Sequence, residues 1–276
     1  MKLVSASDAR PRTRRLSLWT LHRADSPIIG TAIHDGHLVD GDIASLLAVA
    51  ADVRLREEDP FTGDLIAGLP SYLVFHRSRF TVDLNRAREQ SVYLSPAEAW
   101  DLDVWHEAPS DHVVARLREI HDQYYAALAS TLDGLEKRFG TFLVLDVHSY
   151  NHRRAGAKAP ATAGDAAPDI NIGTASMDRV QWARVVEGFM EFCASRMIMG
   201  RRLDVRENVA FEGRGEQTRF IHERFPRTGC AIAVEFKKIF MDEWTGEPNR
   251  QWLAELRALL TDSVPVLERA LKVPRP

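Results

Sequence analysis

Residues 110–149 read SDHVVARLREIHDQYYAALASTLDGLEKRFGTFLVLDVHS. From Val113 to Phe139, apolar side chains recur at three- and four-residue steps: Val113, Leu117, Ile120, Tyr124, Leu128, Leu132, Leu135, Phe139. That period is one face of a helix, with Ser110 as its cap and Gly140 as its stop. Phe142–Asp146 (FLVLD) follows at once as a continuous apolar run. A strand that reads this way is covered on both faces, as in a parallel sheet between helices. Polar Asp146, His148 and Ser149 then stand at its carboxyl end, where open α/β sheets place their sites.

The pattern repeats outward from this unit. Ile28–His34 (IIGTAIH) is a short strand running into His34-Asp35-Gly36-His37, and Ala231–Phe236 (AIAVEF) is another buried strand. Tyr72–Phe75 and Phe80–Leu84 also read as strands. Asp40–Val53, Ser176–Met199 and Asn249–Val273 read as helices, the last kinked or broken near Pro265. Glu57-Glu58-Asp59-Pro60 is an acidic turn, because the residue before proline avoids helical geometry. Ala155–Ala167 (AGAKAPATAGDAA) is too small-residued to join a core and reads as a mobile loop. No linker divides the chain. The expectation is a single domain over residues 1–276, a three-layer α/β/α sandwich with a mixed, mostly parallel sheet, and residues 1–15 flexible.

Composition narrows the function. Among 276 residues, 45% are hydrophobic and 27% charged, which is ordinary for a globular chain. Lys+Arg 36 against Asp+Glu 39 gives a net charge of -3, so nothing argues for a nucleic-acid partner. No apolar run is long enough to span a membrane, and none follows the arginines at 10, 12, 14 and 15 as a secretory signal requires. A cytoplasmic protein is expected. Two cysteines make neither a disulfide framework nor a four-thiolate zinc site. Metal chemistry would have to come from the ten histidines.

His34 and His148 stand past separate strands. Two imidazoles and one carboxylate hold zinc with a position left open. Glu57, Glu58, Asp59 and Asp35 are candidates for the carboxylate; the rival reading has both histidines merely capping strands. Asp146, two residues before His148 on the same face, could orient its ring. His37 could serve the substrate, support a ligand, or lie on the surface. Glu235, alone in AIAVEF, either forms a buried ion pair or faces a cleft as a proton carrier. Asn85-Arg86 suits bidentate recognition of a carboxylate, unless Arg86 only pairs with Asp83. Cys193 lies on an apolar helical face and belongs to the core.

Seven segments, taken together, resemble the N-formylglutamate amidohydrolase family: AIHDGH (32–37), EEDP (57–60), SRFTVDLNR (78–86), LDVHS (145–149), PDINIGT (168–174), FEGRGEQTR (211–219) and AIAVEFKKIFM (231–241). The resemblance implies a fold similar to zinc carboxypeptidases and aspartoacylase-type deacylases. It implies a metal site of His34, His148 and an acid, Asp59 first and Glu58 second. It places the substrate clamp on Asn85 and Arg86 and the proton carrier on Glu235. A dicarboxylic substrate needs a further cation, for which Arg219 and Arg79 stand ready. The implied reaction is zinc-dependent hydrolysis of a small N-acyl amino acid with a free carboxylate, foremost N-formyl-L-glutamate. The alternatives are a carboxypeptidase or deacylase with the same centre, and a non-catalytic metal- or ligand-binding protein. The family's usual Gly-Gly-His element reads Gly213-Arg214-Gly215-Glu216-Gln217 here, and Pro60 replaces its tryptophan.

Overall fold

The computed structural model describes residues 17–272. The flexible segment expected at residues 1–15 lies outside them. In chain order the elements are β1 (Trp19–His22), β2 (Ile28–Ala32), α1 (Gly41–Ala44), α2 (Ala51–Glu57), α3 (Thr62–Ile66), β3 (Ser71–Phe75), α4 (Asp111–Phe139), β4 (Phe142–Tyr150) and β5 (Ile170–Gly173). There follow α5 (Ala183–Ser195), β6 (Met197–Ile198), β7 (Arg201–Arg202), β8 (Val205–Glu207), α6 (Glu216–Arg224), β9 (Gly229–Lys237) and α7 (Arg250–Lys272).

Seven strands form one sheet in the order β1-β3-β2-β4-β9-β5-β8. The central four, β3-β2-β4-β9, are parallel. β1 runs antiparallel on β3 and β5 antiparallel on β9, so the sheet is mixed and mostly parallel at its centre. Helices cover both faces. Leu65 and Ile66 of α3, Phe189 of α5 and Leu260 of α7 join one apolar cluster with Leu143, Leu145, Ile232 and Val234. Tyr124 and Leu128 of α4 and Ile221 of α6 join the other with Val144 and Ala231. Successive strand residues therefore serve opposite layers, and β4 is buried at every position.

The long helix and its ends are as the spacing implies: Ser110 Oγ accepts from Val113 N, and Gly140 takes φ 74°. Other elements differ. Asp40–Val53 is two short helices, not one. Between them Leu47 bridges Trp105, and Ala48 N donates to Val104 O, so pairing with a distant loop interrupts the helix. Phe80–Leu84 is a series of turns: Thr81 N donates to Ser78 O and Asp83 N to Ser91 O. Its alternation of apolar residues is real, but the backbone is claimed by local partners. The helix expected from Ser176 begins only at Ala183, because Asp178 Oδ1 accepts from Val180 and Gln181 N in a preceding turn. It ends before a tight hairpin whose corner, Met199-Gly200, has positive φ at both residues. α7 continues through Pro265 unbroken. Ala155–Ala167 carries neither helix nor strand, and its Gly164 and Asp165 carbonyls accept from Arg206.

Leu260 of α7 is fully buried in the larger apolar cluster, far along the chain from the strand ends. Leu260→Ala should lower unfolding free energy by about 2–5 kcal/mol, read as a shift in denaturant midpoint with the slope unchanged.

Candidate active site

The strand ends bring three polar side chains to one place. His34 lies two residues past β2. His148 lies inside β4 and pairs in register with Glu235 of the parallel β9, so the two share a sheet face. The third arrives on the acidic turn that ends α2, where Asp59 N donates to His34 O. Asp59 Oδ2 then lies 3.3 Å from His34 Nδ1 and 3.1 Å from His148 Nδ1. The donor atoms of His34, Asp59 and His148 are all within 4.8 Å of one another, and the three residues are buried. This group could hold a metal ion.

The outer nitrogens of both rings face carboxylates. His34 Nε2 is hydrogen-bonded to Asp83 Oδ1 at 2.7 Å, and His148 Nε2 lies 3.1 Å from Asp146 Oδ2, a charge contact off hydrogen-bond geometry. Such partners fix ring orientation and raise ligand basicity. Both carboxylates are themselves held. Asp83 accepts from Arg79 at 2.8 Å, from the Tyr93 hydroxyl and from Asn85 N. Asp146 accepts from Thr31 Oγ1 at 3.0 Å and Gln217 Nε2 at 2.5 Å, and Tyr124 donates to Gln217 in turn. Burial opposes each charge, yet the neighbours prevail. Arg79 and His34 hold Asp83 well below the usual carboxylate range. His148 and His34 do the same for Asp59. Asp146, Asp59 and Glu235 hold His148 well above an ordinary imidazole. The electrostatics of the trio thus favour positive charge at the point where the three donors meet.

Glu58 turns away from this trio. It is fully buried, its Oε2 2.5 Å from His37 Nδ1 and its Oε1 accepting from Ser78 Oγ. His37 is thereby the partner of Glu58. Asp35 accepts from Gly63 N and also stays outside the trio.

A cavity of about 440 Å³ opens over the trio. Glu235 lines it, with no hydrogen bond or ion pair at its carboxyl among the described residues; burial pushes its pKa up to about 8 against the pull of His148. Asn85, Arg86, Arg79 and Arg219 line it too. The Arg86 guanidinium is half-exposed and comes no nearer than 3.9 Å to Asp83. Arg79, by contrast, is committed to Asp83 and to Tyr93 Oη, with its guanidinium over the Trp100 ring at 4.8 Å. Arg219 on α6 pairs with Glu216 at 3.4 Å. The Asn85 Oδ1 atom is buried with no hydrogen-bond partner. A Cβ on Gly215 would stand 2.1 Å from it, so a side chain there would have to push the Asn85 amide aside.

These placements can be set beside known proteins. No curated protein sequence matches the chain. Its fold is similar to that of N-formylglutamate amidohydrolase from Ralstonia eutropha JMP134, with TM-score 0.72 and 20% identity over 91% of this chain and 96% of that one. It is also similar to the gene product Atu2144 from Agrobacterium tumefaciens, with TM-score 0.61 and 13% identity over 92% and 94%. The family model described as N-formylglutamate amidohydrolase matches residues 26–241. The chain belongs to the N-formylglutamate amidohydrolase family. It is by that membership a hydrolase of linear amides, and the matched span covers all four central strands of the sheet.

Sequence reasoning missed several residues that this amidohydrolase fold brings to the cavity or to the carboxylates behind it. Lys238 is 1% exposed, and its Nζ donates to Arg56 O at 2.6 Å, Glu58 O at 2.7 Å and Asn151 Oδ1 at 3.0 Å. It ties down the carbonyls of the turn that presents Asp59, and burial lowers its pKa to about 8. The signal was a lysine three residues past Glu235 at the end of a buried strand. Gln217 is fully buried on α6; its helical spacing alone looks no different from that of a surface residue. Arg154 and Arg214 also line the cavity.

The Glu235 carboxyl gives a pH prediction for the metal-free protein. Its folded pKa is raised above the unfolded value, so the folded state binds more protons between about pH 4.5 and 8. Stability should therefore fall as pH rises through that window, by a few kcal/mol at most. Glu235→Gln should flatten this slope, measured by urea midpoints at several pH values.

Proposed function

We propose that the protein is a zinc amidohydrolase that releases the acyl group from N-formyl-L-glutamate or a close N-acyl amino acid. The observation that carries this reading is the convergence of two imidazole Nδ1 atoms and one carboxylate oxygen beside Glu235 in one cavity. The donor set fits zinc: three nitrogen and oxygen ligands, both rings backed by carboxylates, and open space on the cavity side. Zinc bound there supplies Lewis acidity toward the acyl oxygen and toward water.

The chain's own residues do the rest. Asn85 and Arg86 hold the α-carboxylate, the guanidinium by two parallel hydrogen bonds, which fixes the acyl carbon over the trio. Glu235 accepts the proton of the attacking water at a carboxylate oxygen. It returns that proton to the amide nitrogen as the C–N bond breaks, leaving formic acid and the free amine, which end as formate and the ammonium form once the acid's proton passes to the amine. Positive charge at the trio draws its raised pKa back toward neutrality, where it can serve as base and then as acid. Asp83 and Asp146 keep both imidazoles turned inward throughout.

The metal assignment is tested by elemental analysis. Purified protein should carry about one divalent ion per chain, and His148→Ala should lose it. Glu235→Gln should keep the ion and lose roughly two decades or more in kcat. Full metal content in both His34→Ala and His148→Ala would remove these residues from the site.

Arg86→Lys tests the clamp separately. A lost bidentate contact is worth about 1.5–3 kcal/mol, or roughly 10- to 150-fold in kcat/KM on free-acid substrates. Substrates with an amidated α-carboxylate should change little. Equal losses on both would mean that Arg86 only supports Asp83.

A further inference from the structure

Helix α4 carries four polar side chains at three- and four-residue steps, Arg118, His121, Asp122 and Tyr125, so they share one stripe of its surface. All four reach the segment that carries Asn85 and Arg86 or its continuation. The Tyr125 hydroxyl donates to Leu84 O at 2.6 Å, and His121 Nε2 lies 3.0 Å from Arg86 O. A carbonyl can only accept, so the ring carries a proton at Nε2 and donates it. Arg118 donates to Glu89 O, and Arg88 Nε donates to both Asp122 oxygens, at 2.7 and 3.0 Å. The two inner contacts straddle Asn85: one lands on the residue before it, the other on the residue after.

The rest of that backbone is held as well. Asn85 N donates to Asp83 Oδ1 at 2.8 Å and Arg86 N to Asp83 O at 3.3 Å, while Asn85 O accepts from Glu216 N of α6 at 3.1 Å. With the two bonds from α4, every backbone polar group from Leu84 O to Arg86 O has a partner. The segment belongs to no helix or strand, so these bonds set its path. The Arg86 guanidinium, half-exposed and 3.9 Å from Asp83, takes its direction from that path. Apolar packing explains neither polar atom of α4. His121 and Tyr125 are 5% and 8% exposed, with ring centroids 4.5 Å apart, and a phenylalanine at either position would keep a ring there. What a hydrocarbon ring would lack is the bond to the segment.

We propose that His121 and Tyr125 are positioning residues for substrate: through the carbonyls of Arg86 and Leu84 they hold Asn85 and the Arg86 guanidinium at the cavity, so that α4 fixes the substrate's α-carboxylate without touching it. Neither residue lines the cavity. The inference rests on the amidohydrolase reading above and on the clamp within it, and it adds the residues that give the clamp its aim.

The test compares N-formyl-L-glutamate with its α-amide in wild type, His121→Phe and His121→Gln. His121→Phe keeps a ring and removes the donor. Its kcat/KM should fall roughly five- to tenfold for the free acid and less than about twofold for the α-amide, with metal content unchanged. His121→Gln, whose amide can donate to Arg86 O, should recover most of the loss. In an Arg86→Lys background His121→Phe should add less than about twofold, because it acts through that guanidinium. If His121→Phe folds poorly, Tyr125→Phe, which deletes a single oxygen, gives the same comparison. No loss on the free acid, equal losses on both substrates, or a fully additive loss in the Arg86→Lys background would overturn the inference while leaving the hydrolase reading intact. Wild-type protein that hydrolyses neither substrate would overturn the hydrolase reading, and the inference with it.

Discussion

A carboxylate buried between two imidazoles dominates this structure. Asp59 is 3% exposed, and among the described residues its side chain meets hydrogen-bonding partners only in His34 and His148 at Oδ2 and Ser149 at Oδ1. Taking a charge out of water is costly unless partners are held in good geometry. Much of the surrounding chain can be understood as supplying that geometry. Lys238 fixes the turn from below, Asp83 and Asp146 fix the rings from outside, and Tyr124, Gln217, Arg79 and Tyr93 fix those carboxylates. Helices α4 and α6 on one face of the sheet thus reach the centre through hydrogen bonds, beyond their apolar contacts.

The layers were legible in the sequence because they obey simple periodicities. The helix 111–139 and the buried strands at 142 and 231 follow from burial on a 3.6- or 2-residue repeat, and His34 stands beyond its strand as read, while His148 lies inside a strand longer than its apolar run. What failed had causes that the apolar period does not carry. Leu47 leaves the helical path to pair with Trp105, and no local signal in 40–53 announces a partner so far along the chain. Phe80, Val82 and Leu84 alternate like a strand, but the flanking Ser78 and Asp83 take up the backbone donors. β5 and β8 are too short to stand out, and each exists because its neighbour does.

The site divides in the same way. Residues placed by the family resemblance, His34, Asp59, His148, Asn85, Arg86 and Glu235, converge on one cavity. Glu58, also drawn from the acidic turn, is its neighbour in sequence but points the other way, to His37 and Ser78. Choosing between adjacent acids requires the direction of a side chain, which a turn does not encode in its residue types. Gln217 was illegible for a related reason: a polar residue becomes part of a buried network only through the elements that close over it.

The ladder between β4 and β9 pairs nine successive residues without a bulge, from Phe142 with Gly229 to Tyr150 with Lys237. His148 and Glu235 therefore stand opposite one another at the spacing of neighbouring strands, about 4.8 Å. That spacing is a constant of the peptide bond's hydrogen bonding, independent of which side chains the rest of the protein carries. A slip of one residue would send Glu235 through to the other face of the sheet, and a slip of two would carry it a full pleat away. Mutational drift in the loops can thus reshape which molecules enter the cavity while the interval from imidazole to carboxyl stays unchanged. The backbone acts here as a ruler, and only a change in the sheet itself could redraw it.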